Sequence, residues 1–486
     1  MDATTILGLK VDLQKYLEQF QECFTRQDTR AHLDKYVGGQ LSDLQRKNVE
    51  AIALDAGVPV RTLQEFLSQH KWDEDAMRNV VHEIVANEHV HPNSIGIIDE
   101  TSAVKKGDKT PGVQRQHLGC VGKQDNGIVT VHLAYAADDF QCLLDGELFL
   151  PESWSKDRAR CEEAGIPENM VYRPKSEIAL ELYDRARTNG VQFEWLTFDE
   201  WYGVKPKFLL ALDSQQQKFV GEVHGRFVAW SGKPSVTKKP WRKGGKGRGR
   251  KTPRLKAEAR KGSYVQDLFR HSPAFHRQRW ERYYVKDGEK GPLVWEAKRI
   301  TIHVKDEDGL PTGPWHLIVC RNVTNPDELK FFISNASPKT SLEELMLVAF
   351  SRWRVERCFQ DQKGEVGLDH YEGRRYKGLK RHLILSCVSY LFLSQVRERL
   401  RGKKPGVDRV PSSDCCVGID RVMLARGRVI KEAVGSSSRE DRLSPKTQRT
   451  SSQEPHENRQ TQAGSPRCRS HPNPKMRVAR KTELAL

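Results

Sequence analysis

At His91-Pro92 the hydrophobic period of this chain changes, and that change narrows the folds open to it. Residues 1–93 are polar, with apolar positions at helical spacing. Immediately afterwards, Ser94-Ile-Gly-Ile-Ile-Asp99 is a short, nearly continuous apolar run, the pattern of a buried strand. Gln116–Val121 and Ile128–Tyr135 read as the next strands of a meander, with Gly122–Gly127 as the turn. A helix over Lys175–Arg187, a strand over Gln192–Thr197, a helix over Pro206–Leu212 and a strand over Lys218–His224 follow. This alternation predicts an α/β fold on a mixed sheet with flanking helices.

Residues 231–262 interrupt the alternation. They hold 13 Lys and Arg with one Glu, and the Gly-rich run Lys238–Lys251 cannot bury a core. Strands are expected beyond it at Leu293–Val304, Trp315–Cys320 and Leu329–Ser334, so 231–336 reads as a basic linker and β-rich insertion. Ser341-Leu-Glu-Glu344 is a capping box that starts a helix running to about Gln362. A second helix is expected over Lys380–Glu398. After Gly402, Ser, Pro, Gln, Asn and Arg dominate without apolar periodicity, which predicts a disordered tail. The expected order is a helical domain (1–93), a first part of the core (94–230), the insertion (231–336), the last part of the core (337–400) and the tail (401–486).

The net charge of +17 and pI of about 9.4 favour a polyanionic partner, most commonly nucleic acid. The tail alone holds 19 Lys and Arg against 9 Asp and Glu, so a basic tail on a near-neutral enzyme is the competing reading. The longest apolar run, His382–Val396, is broken by serines and a cysteine and is too short to span a bilayer. Met1-Asp2-Ala3-Thr4 opens no basic and apolar signal segment. Ten cysteines form no Cys-x-x-Cys pair, which suits a reduced cytosolic protein. Within the helical part, Asn48–Leu67 resembles a helix-turn-helix, with Gly57 closing one helix and Pro59 opening the next. Ile52, Ala53, Val58, Leu63 and Leu67 would form its small core. Arg61, Gln64, Ser68 and Gln69 would point outward to read DNA, and an ordinary helical hairpin is the alternative.

Three acids stand in different settings. Asp99 ends the first buried strand, Asp199 ends a later strand, and Glu356 lies on the helix after the insertion. Carboxylates so placed can hold two Mg²⁺ ions, with Mn²⁺ as a substitute, for in-line phosphoryl displacement. No His/Cys cluster competes for a softer metal. Glu100 and Glu200 adjoin the two aspartates, and strand phase alone leaves either member of each pair as a ligand. On the last helix, Arg352, Glu356, Phe359 and Lys363 step along one face, which sets an acid between two phosphate-gripping cations. A solvated Arg352–Glu356 pair on that face is the competing reading.

The strings Ile97-Ile-Asp99-Glu-Thr101, Lys105-Lys-Gly107, Arg115-Gln-His117, Leu150-Pro-Glu-Ser-Trp154, Ala164-Gly-Ile-Pro167 and Asp199-Glu-Trp-Tyr-Gly203 resemble the DDE-type transposases of bacterial insertion sequences. So do Arg352-Trp353-x-x-Glu356, the segment Lys363–Arg374, and Arg381-His382. The resemblance spans roughly residues 20–400. It implies an RNase H-like core interrupted by a β-rich insertion, with Asp99, Asp199 and Glu356 as the metal-binding triad. Related transposases carry a Tyr-x-x-Arg-x-x-x-Glu-x-x-x-x-x-x-Lys signature on the last helix. Arg352, Glu356 and Lys363 match it, while Ala349 stands at the tyrosine position.

The expected chemistry has two stages: hydrolysis at the ends of a mobile element, then attack of the freed 3′-OH on target DNA. Arg352 and Lys363 would position phosphates. Lys238, Lys239, Arg242, Lys243, Arg248 and Arg250 would hold DNA backbone through salt-sensitive contacts, with a non-specific basic linker as the alternative. Arg61 and Gln64 would contribute to recognition of the ends. Pairing two ends implies at least a homodimer on double-stranded DNA, which for a bacterial protein is at the nucleoid. Two other classes remain: a DNA-binding protein without chemistry, such as an inactive copy, and another RNase H-like nuclease.

Overall fold

The strand Ile95–Val104 (β1) organises a ten-stranded mixed sheet. The structure is a computed structural model and describes residues 3–238, 252–288 and 291–401. After β1 come Gln114–Leu118 (β2), Lys123–Ala137 (β3) and Phe140–Leu148 (β4). Strand β3 runs antiparallel to β1, β2 and β4. On the other side of β1, Trp195–Phe198 (β5) pairs in parallel with it, and Phe219–Val223 (β6) pairs in parallel with β5.

Four antiparallel strands then extend the β6 edge: Glu281–Gly288 (β7), Gly291–Ile302 (β8), Trp315–Asn322 (β9) and Leu329–Ser334 (β10). The last of them, β10, joins β6 in the register Phe331↔Val223. The β-rich segment expected as an insertion therefore continues the central sheet.

Several boundaries differ from expectation. Asp99 does not end β1; the strand runs five residues further because β3 continues to pair with it as far as Val104↔Gly127. The reversal expected at Gly122–Gly127 lies at Gly119–Gly122, where Gly122 adopts φ +63°. The polar residues that follow form the exposed start of β3. Strand β4 went unrecognised because Asp145, Gly146 and Glu147 break its apolar pattern; all three are buried. The helix expected over 341–362 divides into Leu342–Phe350 (α8) and Trp353–Asp361 (α9), followed by a π-helical turn at Gln362–Val366.

The N-terminal helices are Ala3–Glu18 (α1), Gln27–Gln40 (α2), Val49–Asp55 (α3), Val60–Ser68 (α4) and Glu74–Glu88 (α5). Asn48 caps α3 through the Ala51 N–H, and Gly57 at φ +64° turns the chain into α4 as expected. Two further helices flank the first half of the sheet: Lys175–Thr188 (α6) and the single turn Glu200–Gly203 (α7). The long helix Tyr376–Arg401 (α10) joins the N-terminal helices to the sheet.

On one side of α10, the Tyr36 hydroxyl bonds His382 Nδ1 at 2.8 Å and Tyr16 donates to the Val388 carbonyl at 2.8 Å. Towards the sheet, Ser394 donates to the Gln141 carbonyl in β4 at 2.7 Å. One apolar core runs from Leu9 to Val396, so the boundary at residue 93 is a change of secondary structure and not a gap in packing. Among the described residues no helix is long and apolar enough to cross a membrane.

Candidate active site

The parallel register Ile98↔Phe198 places the next residue of each chain segment, Asp99 and Asp199, side by side. Strand β5 stops at Phe198 while β1 continues, so the sheet opens at this level. Asp199 turns away to cap α7, its carboxylate accepting from the Trp201 and Tyr202 amides at 3.0 and 3.3 Å. Asp99 accepts from the Glu100 amide at 2.7 Å. Glu100 pairs with Lys175 and receives the Tyr202 hydroxyl, whereas Glu200 is exposed.

Helix α9 brings the last acid over this opening. Val355, Cys358 and Phe359 are its buried face, and Phe359 meets His132 edge-on at 5.3 Å. His132 is the β3 partner of Asp99, so α9 lies across the strand that carries the first acid. At its N-terminus Arg352 donates to Asp99 at 2.9 Å and to Glu356 at 3.0 Å. The Glu356 side chain is 59% exposed, so this acid reaches the others through the guanidinium. Among the described residues, no three His, Cys, Asp or Glu side chains already converge as a metal centre. Lys363, on the π-helical turn, donates to the Ser102 carbonyl of β1 at 2.9 Å. Both cations expected to grip phosphate are thus engaged with protein groups around Asp99.

The electrostatics mark the site. Burial pushes the Asp99 carboxyl up to about 7, opposed by Arg352 and reinforced by Asp199. Burial raises Asp199 as well, against its amide hydrogen bonds and Arg352. A buried and a half-buried carboxylate side by side, with one guanidinium bonded to the first, are short of positive charge, and their hard oxygen donors suit Mg²⁺ or Mn²⁺.

Residues without a direct chemical role hold this arrangement. A Cβ on Gly203 would lie 1.9 Å from the Glu222 carbonyl oxygen, so only glycine lets α7 sit against β6. Gly203→Ala should push α7 off β6 and carry Asp199 with it, lowering stability by about 1–3 kcal/mol and reducing any metal-dependent cleavage. Thermal unfolding checks the first effect; an unchanged melting temperature would contradict the packing argument. Buried Lys105 donates to the Asp369 carbonyl at 3.0 Å and to the Tyr371 carbonyl, and buried Lys47 to the Gln40 carbonyl at 2.8 Å and the Glu365 carbonyl. Burial lowers both amines to about 8. They fasten the segment that follows Lys363 to the end of β1 and to the N-terminal helices. Lys105 stands in the Lys105-Lys-Gly107 string of the resemblance, but no sequence signal separated Lys47 from the many lysines on the surface.

Three buried histidines give the fold a pH dependence. Burial lowers His82, His132 and His382 each to about 4, from the ordinary 6.5. The unfolded chain takes up their protons first, so stability is full above about pH 6.5 and falls as pH drops towards 4. Asp99 acts in the opposite sense, because its folded form binds a proton near pH 7, and burial raises Asp199 and Glu147 in the same direction, but His89, also lowered to about 4, joins the other three histidines. The urea midpoint should be lower at about pH 5 than at about pH 7; an equal or higher midpoint would contradict this reading.

Arg61 is exposed and pairs with Glu65 at 2.7 Å, and Gln64 is exposed beside it. The inner face of α4 is buried through Leu63, Phe66 and Leu67. Lys238 is exposed, and Lys239, Arg242, Lys243, Arg248 and Arg250 lie outside the described residues, as does the tail after 401. Trp201 and Tyr202, present only as part of the Asp199–Gly203 string, carry no role in the sequence reading of the site.

Acids at the open end of a mixed sheet define an α/β protein with a candidate acidic active site. A family model described as "DDE superfamily endonuclease" matches residues 19–292, and the chain belongs to that family. The match covers Asp99 and Asp199 and ends before Arg352, Glu356 and Lys363. The chain is also 33% identical over 186 residues to a "Probable transposase for insertion sequence element IS701" of Microchaete diplosiphon. That alignment covers 37% of this chain and 46% of the relative, so it spans just under half of that protein's length. Among solved structures, the NurA nuclease from Sulfolobus solfataricus matches at 11% identity and a TM-score of 0.25, over 66% of this chain and 87% of that one.

Proposed function

We propose that the chain is a transposase that cuts DNA at the ends of a mobile element and joins them to target DNA, using Asp99, Asp199 and Glu356 as its metal-binding carboxylates. The observation that carries this reading is the Ile98↔Phe198 register, which sets the buried Asp99 beside the half-buried Asp199 where the sheet opens. The order β4-β3-β1-β5-β6, with β3 antiparallel and β5 and β6 parallel to β1, supports an RNase H-like core. Strands β7–β10 and the basic linker before them would then be the insertion preceding the last acid.

Asp99 would offer a buried oxygen, Asp199 a half-buried one, and Glu356 a third from the helix above. Divalent ions held there, two of Mg²⁺ or Mn²⁺, would supply Lewis-acid stabilisation of the entering and leaving oxygens of a phosphodiester. Arg352 presents a fork suited to phosphate oxygens, and it already faces both Asp99 and Glu356. Lys363 uses one donor on Ser102, and its ammonium carries two more for a second phosphate. Arg61 and Gln64 on exposed α4 would meet the element's ends, and the Lys238–Arg250 stretch would hold backbone. Two chains would act together on paired ends.

The test is incubation of the full chain with linear DNA carrying the element's flanking ends, with Mg²⁺ or with EDTA. Cuts at the ends and joined products with Mg²⁺ alone are expected. End binding without any cut under Mg²⁺ or Mn²⁺ would favour a DNA-binding protein without chemistry.

A further inference from the structure

Beside the carboxylates, aromatic rings and amines alternate in one continuous strip. Tyr172, 42% exposed, meets Phe149 edge-on at 6.0 Å. The Lys175 ammonium lies 5.4 Å from the Phe149 ring and 5.3 Å from the Trp201 ring. Lys205 lies over the same Trp201 ring at 4.5 Å. Tyr202, fully buried, packs edge-on against Trp201 at 5.0 Å and fixes its plane. The strip reaches the site through two links: Lys175 pairs with Glu100, next to Asp99, and Trp201 lies two residues beyond Asp199.

We propose that this strip is a binding site for single-stranded DNA, which seats unpaired bases of the strand being processed on Trp201 and Tyr172. Proteins that hold single strands combine base stacking on aromatic rings with amines that follow the phosphates. A base that takes the place of Lys205 on the Trp201 ring frees that amine for the adjoining phosphate. Duplex DNA offers no unstacked base, so the strip would discriminate between the two forms. The bland account is a set of internal cation–π pairs, each contributing about 0.5–1 kcal/mol where exposed. That account explains the placement of the lysines. It does not explain an exposed Tyr172 and a half-buried Trp201 held against Tyr202 two residues beyond Asp199.

The inference rests on the transposase reading, and its test is separate from cleavage. Anisotropy of a short fluorescent oligothymidylate and of a labelled duplex is measured without metal at one salt concentration, for the full chain and three variants. Trp201→Ala should weaken oligothymidylate binding about ten-fold or more, and Tyr172→Ala by about five-fold. Trp201→Phe should retain most of the affinity, and duplex binding should change by less than about two-fold in all three. Tyr172 is exposed, so its replacement leaves the core intact should Trp201→Ala fold poorly. Single-strand affinities of Trp201→Ala and Tyr172→Ala equal to wild type, or equal losses for single strand and duplex, would overturn the inference. If the wild type cuts DNA while the variants bind single strands normally, only the strip is refuted. If the variants lose single-strand binding and the wild type never cuts, only the transposase reading is.

Discussion

Asp99→Asn is expected to abolish metal-dependent DNA cleavage, by about a thousand-fold or more, while leaving the protein folded and able to bind DNA. The size follows from the several kcal/mol that metal ions contribute to charge stabilisation in phosphoryl transfer, at about 1.4 kcal/mol for each factor of ten. The substitution keeps the shape and removes a charge that the fold holds at a cost. Burial has already raised this carboxyl to about 7, so a neutral amide in its place should leave stability unchanged or slightly higher. Arg352 keeps Glu356 as its partner. Cleavage rates and urea unfolding on the same preparation separate the two effects. A variant that cuts at the wild-type rate would remove Asp99 from the chemistry, and one that fails to fold would show that the carboxylate is structural.

The largest expected effect on stability lies elsewhere. Arg381 is completely buried in α10. Its guanidinium donates to the carbonyls of Phe66, Leu67, His70 and Trp72 at 3.0, 3.3, 2.9 and 2.8 Å. It also pairs with Glu74 at 2.9 Å and stacks on Trp72 at 4.0 Å. This one side chain satisfies the end of α4 and the connection into α5. Arg381→Met should cost about 3–5 kcal/mol, because it leaves buried carbonyls and Glu74 without their partner. Lysine should rescue little, since a single ammonium cannot reach that spread of acceptors. A urea unfolding free energy within about 1 kcal/mol of wild type would contradict this role.

The sequence made the central strands legible because β1, β5 and β6 are buried on both faces and therefore read as apolar runs. Asp99 and Asp199 stood out as carboxylates at the end of such runs, although Asp99 proved to lie inside β1. Strand β4 was illegible for the opposite reason: Asp145 is buried against Arg185 at 2.9 Å, a pairing that only the tertiary fold supplies. Arg381 and His382 were legible as a resemblance to a family, and their packing shows why those residue types stand there. Lys47 could not be found among so many lysines, and Lys105 was legible only as part of a family string, because what distinguishes both is the carbonyls they reach. The Trp201 strip was hidden as a unit, since its members come from three separate stretches of chain. The helical step from Arg352 to Lys363 does not describe one face: Phe359 is buried, Glu356 is largely exposed, and Lys363 lies on the π-helical turn, where it donates to Ser102.

Asp99, Asp199 and Glu356 are proposed to hold divalent ions in common. Iron-directed scission tests it: Fe²⁺ replaces Mg²⁺, and the hydroxyl radicals it generates cut the main chain close to the bound ion. The account expects cuts clustered at the three segments around residues 99, 199 and 356, all suppressed by excess Mg²⁺. Cuts that spare any one of the three segments, or that persist in excess Mg²⁺, would contradict it.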